Sequence, residues 1–230
     1  MLQLTRQEFA LMIDHTLLRP DAVAGDVIQL CREAVEHGFG TVCVNSAYVP
    51  LAVEELRGSN VRVCTVVGFP LGTTSTTAKV AEASRAVCDG AAEFDLVINI
   101  GALKDRKTEY LERELREVIG TVRDTRRDAV VKVILETALL TDEEKVLGCR
   151  VAVGQGADMV KTSTGFGPGG ATEADVRLLR KAVGERLGVK AAGGIRDLDA
   201  ALRMIAAGAS RIGTSSGVKI MGEWERKFSR

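Results

Sequence analysis

Histidine is nearly absent from this chain: His15 and His37 are the only two in 230 residues. A zinc site built on several imidazoles is hard to assemble from that stock. Cysteine is sparse too, with an odd count of five: Cys31, Cys43, Cys64, Cys88 and Cys149. No C-x-x-C pair occurs, which argues against a disulfide framework or a zinc knuckle and for reduced thiols in a cytoplasmic protein. Net charge is missing as well, since 31 basic residues face 31 acidic ones. Without a basic stripe, nucleic acid is not an expected partner. The cluster Arg123, Arg126 and Arg127 is interleaved with Asp124 and Asp128 and reads as a solvated helix end. No apolar run is long enough to cross a bilayer, and the amino terminus has no apolar signal core, so no membrane partner is expected. No low-complexity linker divides the sequence, which is expected to form a single domain over residues 1–230.

What the chain does have is an alternating rhythm. Hydrophobic residues make up 46% and charged residues 27%, enough for a sizeable core. Short β-branched runs predict eight strands: Ile13–Thr16, Thr41–Asn45, Val61–Val67, Glu93–Asn99, Val130–Glu136, Asp158–Thr162, Val189–Ala191 and Arg211–Gly213. Helical stretches lie between them. Asp21 to His37 runs into Gly38, Thr77 to Asp89 into Gly90, and Asp197 to Ala207 into Gly208. Thr108 to about Asp124 has glutamates near its start, at the positive end of the helix dipole. Thr141-Asp142-Glu143-Glu144 is a capping box whose helix ends near Gly156, and Thr172 to Asp175 resembles a second cap. Eight βα units in this length predict an α/β fold, a single (β/α)8 TIM barrel with a short N-terminal helix, roughly Thr5 to Met12, before the first strand. A doubly wound open sheet is the competitor. No G-x-G-x-x-G opens a helix after the first strand, which weakens its dinucleotide-binding form.

The strongest chemical signal is Lys161. It ends the run Ala157-Asp158-Met159-Val160-Lys161, where an ammonium is costly unless it has a task. Lys190 repeats the pattern in the next strand. Two lysines at neighbouring strand ends repel one another, which lowers an amine's pKa and favours a nucleophile that forms a Schiff base. Strand parity adds partners. Asp95 falls opposite the helix-facing Phe94, Leu96 and Ile98, and Lys132 opposite Val131, Val133 and Leu135. Asp95, Lys132, Lys161 and Lys190 thus point into one interior from four consecutive strands, with Glu136 on the parity of Lys132. A buried ion pair would explain some of them without catalysis. Cys43 reads as an ordinary buried thiol that could support the site. Asp14, His15 and Thr16 end the first strand and are candidates to line it.

Glycine-rich loops close the last two strands, around Gly193-Gly194 and Gly213-Thr214-Ser215-Ser216. Barrel enzymes commonly hold phosphate there on backbone N–H groups, and Ser215 and Ser216 add hydroxyls. The loop from Thr164 and Gly165 to Gly170 leaves the Lys161 strand and could close over a substrate.

Seven ordered segments resemble the deoxyribose-phosphate aldolase family over nearly the whole chain. They are Ile13-Asp14-His15-Thr16-Leu17-Leu18, Val66 to Gly72, Glu93 to Asn99, Lys132 to Thr137, Val160 to Gly167, Val189 to Arg196, and Arg211 to Ser216. The resemblance implies a class I aldolase barrel that needs no metal or other cofactor. It would cleave 2-deoxy-D-ribose 5-phosphate to D-glyceraldehyde 3-phosphate and acetaldehyde, usually as a homodimer or homotetramer. It implies that Lys161 forms the Schiff base, Lys190 perturbs it and Asp95 relays protons. Many members also end in a tail tyrosine. Here the only tyrosines are Tyr48 and Tyr110, a departure from that pattern. A related lysine aldolase using another phosphorylated sugar, or a silent sugar-phosphate-binding barrel, is the competing reading.

Overall fold

The alternation of short β-branched runs with capped amphipathic stretches resolves, in a computed structural model describing residues 4–228, into a closed parallel barrel. The first elements in chain order are α1 (Arg6–Leu11), β1 (Ile13–Leu17), α2 (Ala24–His37), β2 (Thr41–Val44), α3 (Val49–Glu55), β3 (Arg62–Val67), α4 (Thr76–Cys88), β4 (Glu93–Val97) and α5 (Ile100–Lys104). The rest are α6 (Thr108–Thr125), β5 (Val130–Ile134), α7 (Asp142–Gly154), β6 (Met159–Lys161), α8 (Glu173–Val183), β7 (Gly188–Ala192), α9 (Leu198–Ala206), β8 (Arg211–Thr214) and α10 (Gly217–Phe228). The strands pair in sequence order and β8 returns to β1, so the open-sheet alternative is excluded.

Helix ends follow the expected chemistry. Thr141 and Glu144 form the reciprocal cap of α7, and Thr5 and Glu8 do the same for α1, which precedes β1 as expected. Gly38 ends α2 in the left-handed conformation. The core lies mostly between barrel and helices. Phe94, Leu96, Val131, Val133 and Val160 are buried there, against helix residues such as Leu115 and Val118 of α6.

Several boundaries differ from the sequence-based expectation. β4 stops at Val97 because the Asn99 side chain turns to accept from Ala102 N–H and opens α5. β5 stops at Ile134, and Glu136 sits beyond it in the left-handed region at φ 58°, so strand parity does not govern its side chain. β6 is only three residues long, since Asp158 uses its carboxylate on Arg123 and on Val131 N–H. Helices α3, α5 and α10 were not anticipated.

Candidate active site

Each strand sends at least one polar or ionisable side chain inward. Asp14 comes from β1, Cys43 from β2, Cys64 from β3, Glu93 and Asp95 from β4, Lys132 from β5, Lys161 from β6, Lys190 from β7 and Arg211 from β8. Asp95 is the hub. Its Oδ2 accepts from Lys161 Nζ at 2.8 Å and Lys190 Nζ at 2.7 Å, and its Oδ1 from Lys132 Nζ at 3.0 Å. Asp14 Oδ2 lies 2.5 Å from Lys190 Nζ, and Asp14 Oδ1 accepts from Arg211 at 2.7 Å. Glu93 Oε2 lies 2.6 Å from Lys132 Nζ and 3.6 Å from Arg211. Parity brings Asp95, Lys132, Lys161 and Lys190 together as expected, and Asp14 joins them. The period of two also carries Glu93, two residues before Asp95, into the interior, although at the strand's first residue its charge gives no signal in the sequence. Arg211 was seen only as part of a motif.

The electrostatics differ from simple lysine–lysine repulsion. Burial alone would lower the Lys190 ammonium, but the carboxylates of Asp14 and Asp95 hold it above the ordinary lysine value. Lys132 behaves likewise, with Asp95 foremost among its carboxylates. Burial would raise the Asp95 carboxyl, yet Lys132, Lys161 and Lys190 keep it well below the usual carboxylate range. Asp14 is held low in the same way by Lys190, Lys132 and Arg211. Charge compensation through a shared carboxylate therefore dominates the inner barrel.

Of the seven charged cage members, Lys161 alone lines the cleft above them, a space of about 310 Å³ at the C-terminal ends of the strands. Thr16, Thr164, Gly165, Gly193, Gly194, Gly213 and Ser215, the candidates from the sequence, line the same cleft. Ser216 stands beside it and uses its backbone N–H on Thr214. Asp14, Lys132 and Cys43 lie beneath it, fully buried. His15 turns away from the interior and pairs with Glu33 of α2 at 2.7 Å. Arg19, Arg196 and Phe166 also line the cleft. Arg19 had no signal in the sequence, because it follows a strand end and is paired with Asp21 and Asp26.

Local backbone requirements explain the glycines. Gly193 and Gly194 are both left-handed, at φ 91° and 78°. A Cβ on Gly213 would meet Lys190 Cε and Ala192 Cβ at 2.9 Å, so only glycine lets this loop sit on the cage. Across the cleft, Thr164 is held by Glu136, whose carboxylate accepts from the Thr164 N–H at 3.2 Å and from its hydroxyl. Phe166 meets Phe69 edge-on, with centroids 5.3 Å apart.

Among the described residues, Cys43, Cys64 and Asp95 place three potential metal-ligand atoms within 4.8 Å of one another. The Asp95 oxygens are already shared among three ammoniums, and those charges oppose a divalent ion there. The set therefore fits a metal poorly. What the arrangement can do is present an amine to a carbonyl at the floor of a phosphate-sized cleft, with a carboxylate and a second ammonium in contact.

A sequence model of the DeoC/LacD family aldolases matches residues 9–222. A curated protein of Thermococcus kodakarensis named deoxyribose-phosphate aldolase is 57% identical over 220 residues, 95% of this chain and 97% of that protein. One of the same name from Caldanaerobacter subterraneus subsp. tengcongensis is 54% identical, covering 95% of this chain and 94% of its own. A solved structure described as a unique tetrameric deoxyribose phosphate aldolase from Aeropyrum pernix superposes with a TM-score of 0.89. It is 35% identical and covers 98% of this chain and 94% of that one.

Proposed function

Because the chain belongs to the DeoC/LacD family of aldolases, we propose that its cleft cleaves 2-deoxy-D-ribose 5-phosphate reversibly to D-glyceraldehyde 3-phosphate and acetaldehyde. The observation that carries the mechanism is Asp95 Oδ2, held 2.8 Å from Lys161 Nζ and 2.7 Å from Lys190 Nζ at the floor of the cleft. In the cleavage direction, neutral Lys161 attacks the substrate aldehyde carbon, and loss of water gives an imine. Removal of the proton from the C3 hydroxyl breaks the C2–C3 bond. The bonding electrons flow into the imine to form an enamine, and the phosphorylated aldehyde departs. Protonation of the enamine carbon and hydrolysis release acetaldehyde and free Lys161. Asp95 accepts and redirects these protons through Lys190 and water, and Lys190 compensates negative charge as it develops. Proton transfer of this kind contributes about 10²–10⁴-fold to rate.

At the far end of the cleft, the loops of Gly193, Gly194, Gly213 and Ser215 bring backbone N–H groups to the phosphate. Ser216, next to these residues, precedes the first turn of α10, whose dipole favours an anion. Thr164, Gly165 and Thr16 line the substrate's path, while Asp14, Cys43 and Lys132 support the cage from below. The chain acts as a single catalytic domain over residues 1–230, with no metal or other cofactor in the reaction. A homodimer or homotetramer is the expected assembly, supported by the tetrameric Aeropyrum pernix relative. No helix among the described residues is long and apolar enough to cross a membrane, and the odd, unpaired cysteines suit a reducing cytoplasm.

The test is chemical trapping. Incubation with acetaldehyde followed by borohydride reduction should leave one ethyl adduct, on Lys161. An adduct elsewhere, or none, would overturn the assignment. Lys161→Ala should abolish both trapping and cleavage of the sugar phosphate.

A further inference from the structure

The cage beneath Lys161 extends well past the residues that touch substrate. Glu93 is the first residue of β4 and Arg211 the first of β8, so both sit near the N-terminal end of the barrel, and neither lines the cleft. We propose that Arg211 and Glu93 are positioning residues that set the net charge around the Lys161 amine and so displace the acid limb of the pH–rate profile in opposite directions.

The proposal rests on charge balance and register. Four basic side chains, Lys132, Lys161, Lys190 and Arg211, face three carboxylates, Asp14, Glu93 and Asp95. With every group ionised the cage carries one excess positive charge. With Lys161 neutral, three cations still face the three carboxylates. Removing Arg211 makes the balance three against three. A neutral Lys161 would then leave one carboxylate uncompensated, and the amine would keep its proton to higher pH. Removing the Glu93 charge does the reverse.

The geometry lets these effects reach Lys161. Lys161, Lys190 and Arg211 occupy one register row across β6, β7 and β8. Two strand spacings amount to about 10 Å. At that distance, with an effective dielectric of about 20, one unit charge moves a pKa by about one unit. Glu93 acts through Lys132 and is farther from Lys161, so its effect is smaller.

The other titratable groups facing the cage are the thiols of β2 and β3, and Arg62. Burial pushes Cys64 up, and the hydrogen bond with Cys64 draws Cys43 down. Cys64 lies within electrostatic reach of Arg211, but burial keeps its thiol protonated across the acid limb, so it leaves the charge count there unchanged. Arg62 reaches Glu93 at 3.8 Å from a partly exposed position and also binds Asp128.

The inference rests on the aldolase reading above, and the experiment separates the two. Borohydride trapping on wild-type protein first establishes Lys161 as the imine-forming amine; its failure sinks the aldolase reading. With trapping in place, kcat/KM for 2-deoxyribose 5-phosphate cleavage is measured across the acid limb for Arg211→Gln, Arg211→Lys and Glu93→Gln. Arg211→Gln should move the limb up by about one pH unit. Glu93→Gln should move it down by less, and Arg211→Lys should leave it at the wild-type position. A purely structural role would lower rate or stability in both neutralised variants without opposed shifts. Shifts in the same direction, or none, overturn the proposal. If the single neutralised variants do not fold, the double variant Arg211→Gln with Glu93→Gln decides. The nearer Arg211 outweighs Glu93, so the limb should rise by less than about one pH unit, and an unmoved or lowered limb overturns the proposal.

Discussion

Gly213 has no side chain to offer, yet it sets how closely the phosphate loop approaches Lys190. A methyl group there would press on Lys190 Cε and Ala192 Cβ, each at 2.9 Å. Gly213→Ala is expected to cost about 1–3 kcal/mol of stability in urea unfolding. Displacing the ammonium by about 1 Å should also lower kcat/KM by about 10²-fold. Unchanged kinetics would mean that Lys190 need not stay where it is. At this scale the sequence carried much of the site. Lys132, Lys161, Lys190 and Asp95 were legible because a charge on the inward parity of an apolar strand is costly and stands out. Glu93 obeyed the same parity but lay at a strand's first residue, where a charge looks solvated. Asp14 and Cys43 were placed at the site by sequence but stand beneath the cleft, because inward-facing residues occupy several depths of the barrel.

Among the elements, α4 and α6 are joined by an ion pair that no periodicity predicts. Lys79 Nζ lies 2.9 Å from Glu114 Oε2, and both side chains are fully buried. Lys79 also donates to Val97 O at 2.8 Å, while Glu114 accepts from Asn99 N–H at 3.3 Å. The pair thus fastens the exit of β4, the strand that carries Asp95. Lys79→Met alone should cost about 3–5 kcal/mol by leaving Glu114 charged and unpaired. Adding Glu114→Leu should recover most of that loss in equilibrium urea unfolding. If the double variant is no more stable than the single one, the pair's charges are not what holds the strand exit. Both residues sit in helical patterns that read as ordinary surface, so only the packing of α4 against α6 reveals them. The short helices α3 and α5 were unreadable for a different reason. Seven and five residues span too few turns for an apolar stripe to declare itself. By contrast α10 carries Ile220, Met221 and Trp224 on one buried face, a signal present in the sequence and passed over.

For the molecule as a whole, the cage makes stability depend on pH at both extremes. Asp14 and Asp95 are held low in the folded state, so below about pH 4 the unfolded chain binds protons that the native state refuses. Stability contributed by these carboxylates is present above that value and lost as acid is added. Lys132 and Lys190 are held high, so their contribution is complete below about pH 10 and lost as pH rises further. Burial holds His15 below its ordinary value despite Glu33, which adds a shallower loss below about pH 6.5. Burial also pushes the Cys31, Cys64 and Cys149 thiols up, so the unfolded chain gives up protons above about pH 8.5 that the native state keeps. The urea midpoint should therefore be highest between about pH 7 and 8.5, with a gentle then a steep acid decline. A midpoint that stays level down to about pH 3 would contradict the compensated cage. The barrel itself was legible as a rhythm of eight units, whereas its closure needed β8 to be seen beside β1. The ring of inward polar groups, at least one from each strand, has a last consequence for assembly. Slipping any strand by one residue would swing its charged or thiol side chain into the apolar layer beneath the helices and leave its partners stranded. The groups proposed for chemistry thus also serve as a proofreading key, rejecting misaligned barrels that hydrophobic packing alone would tolerate.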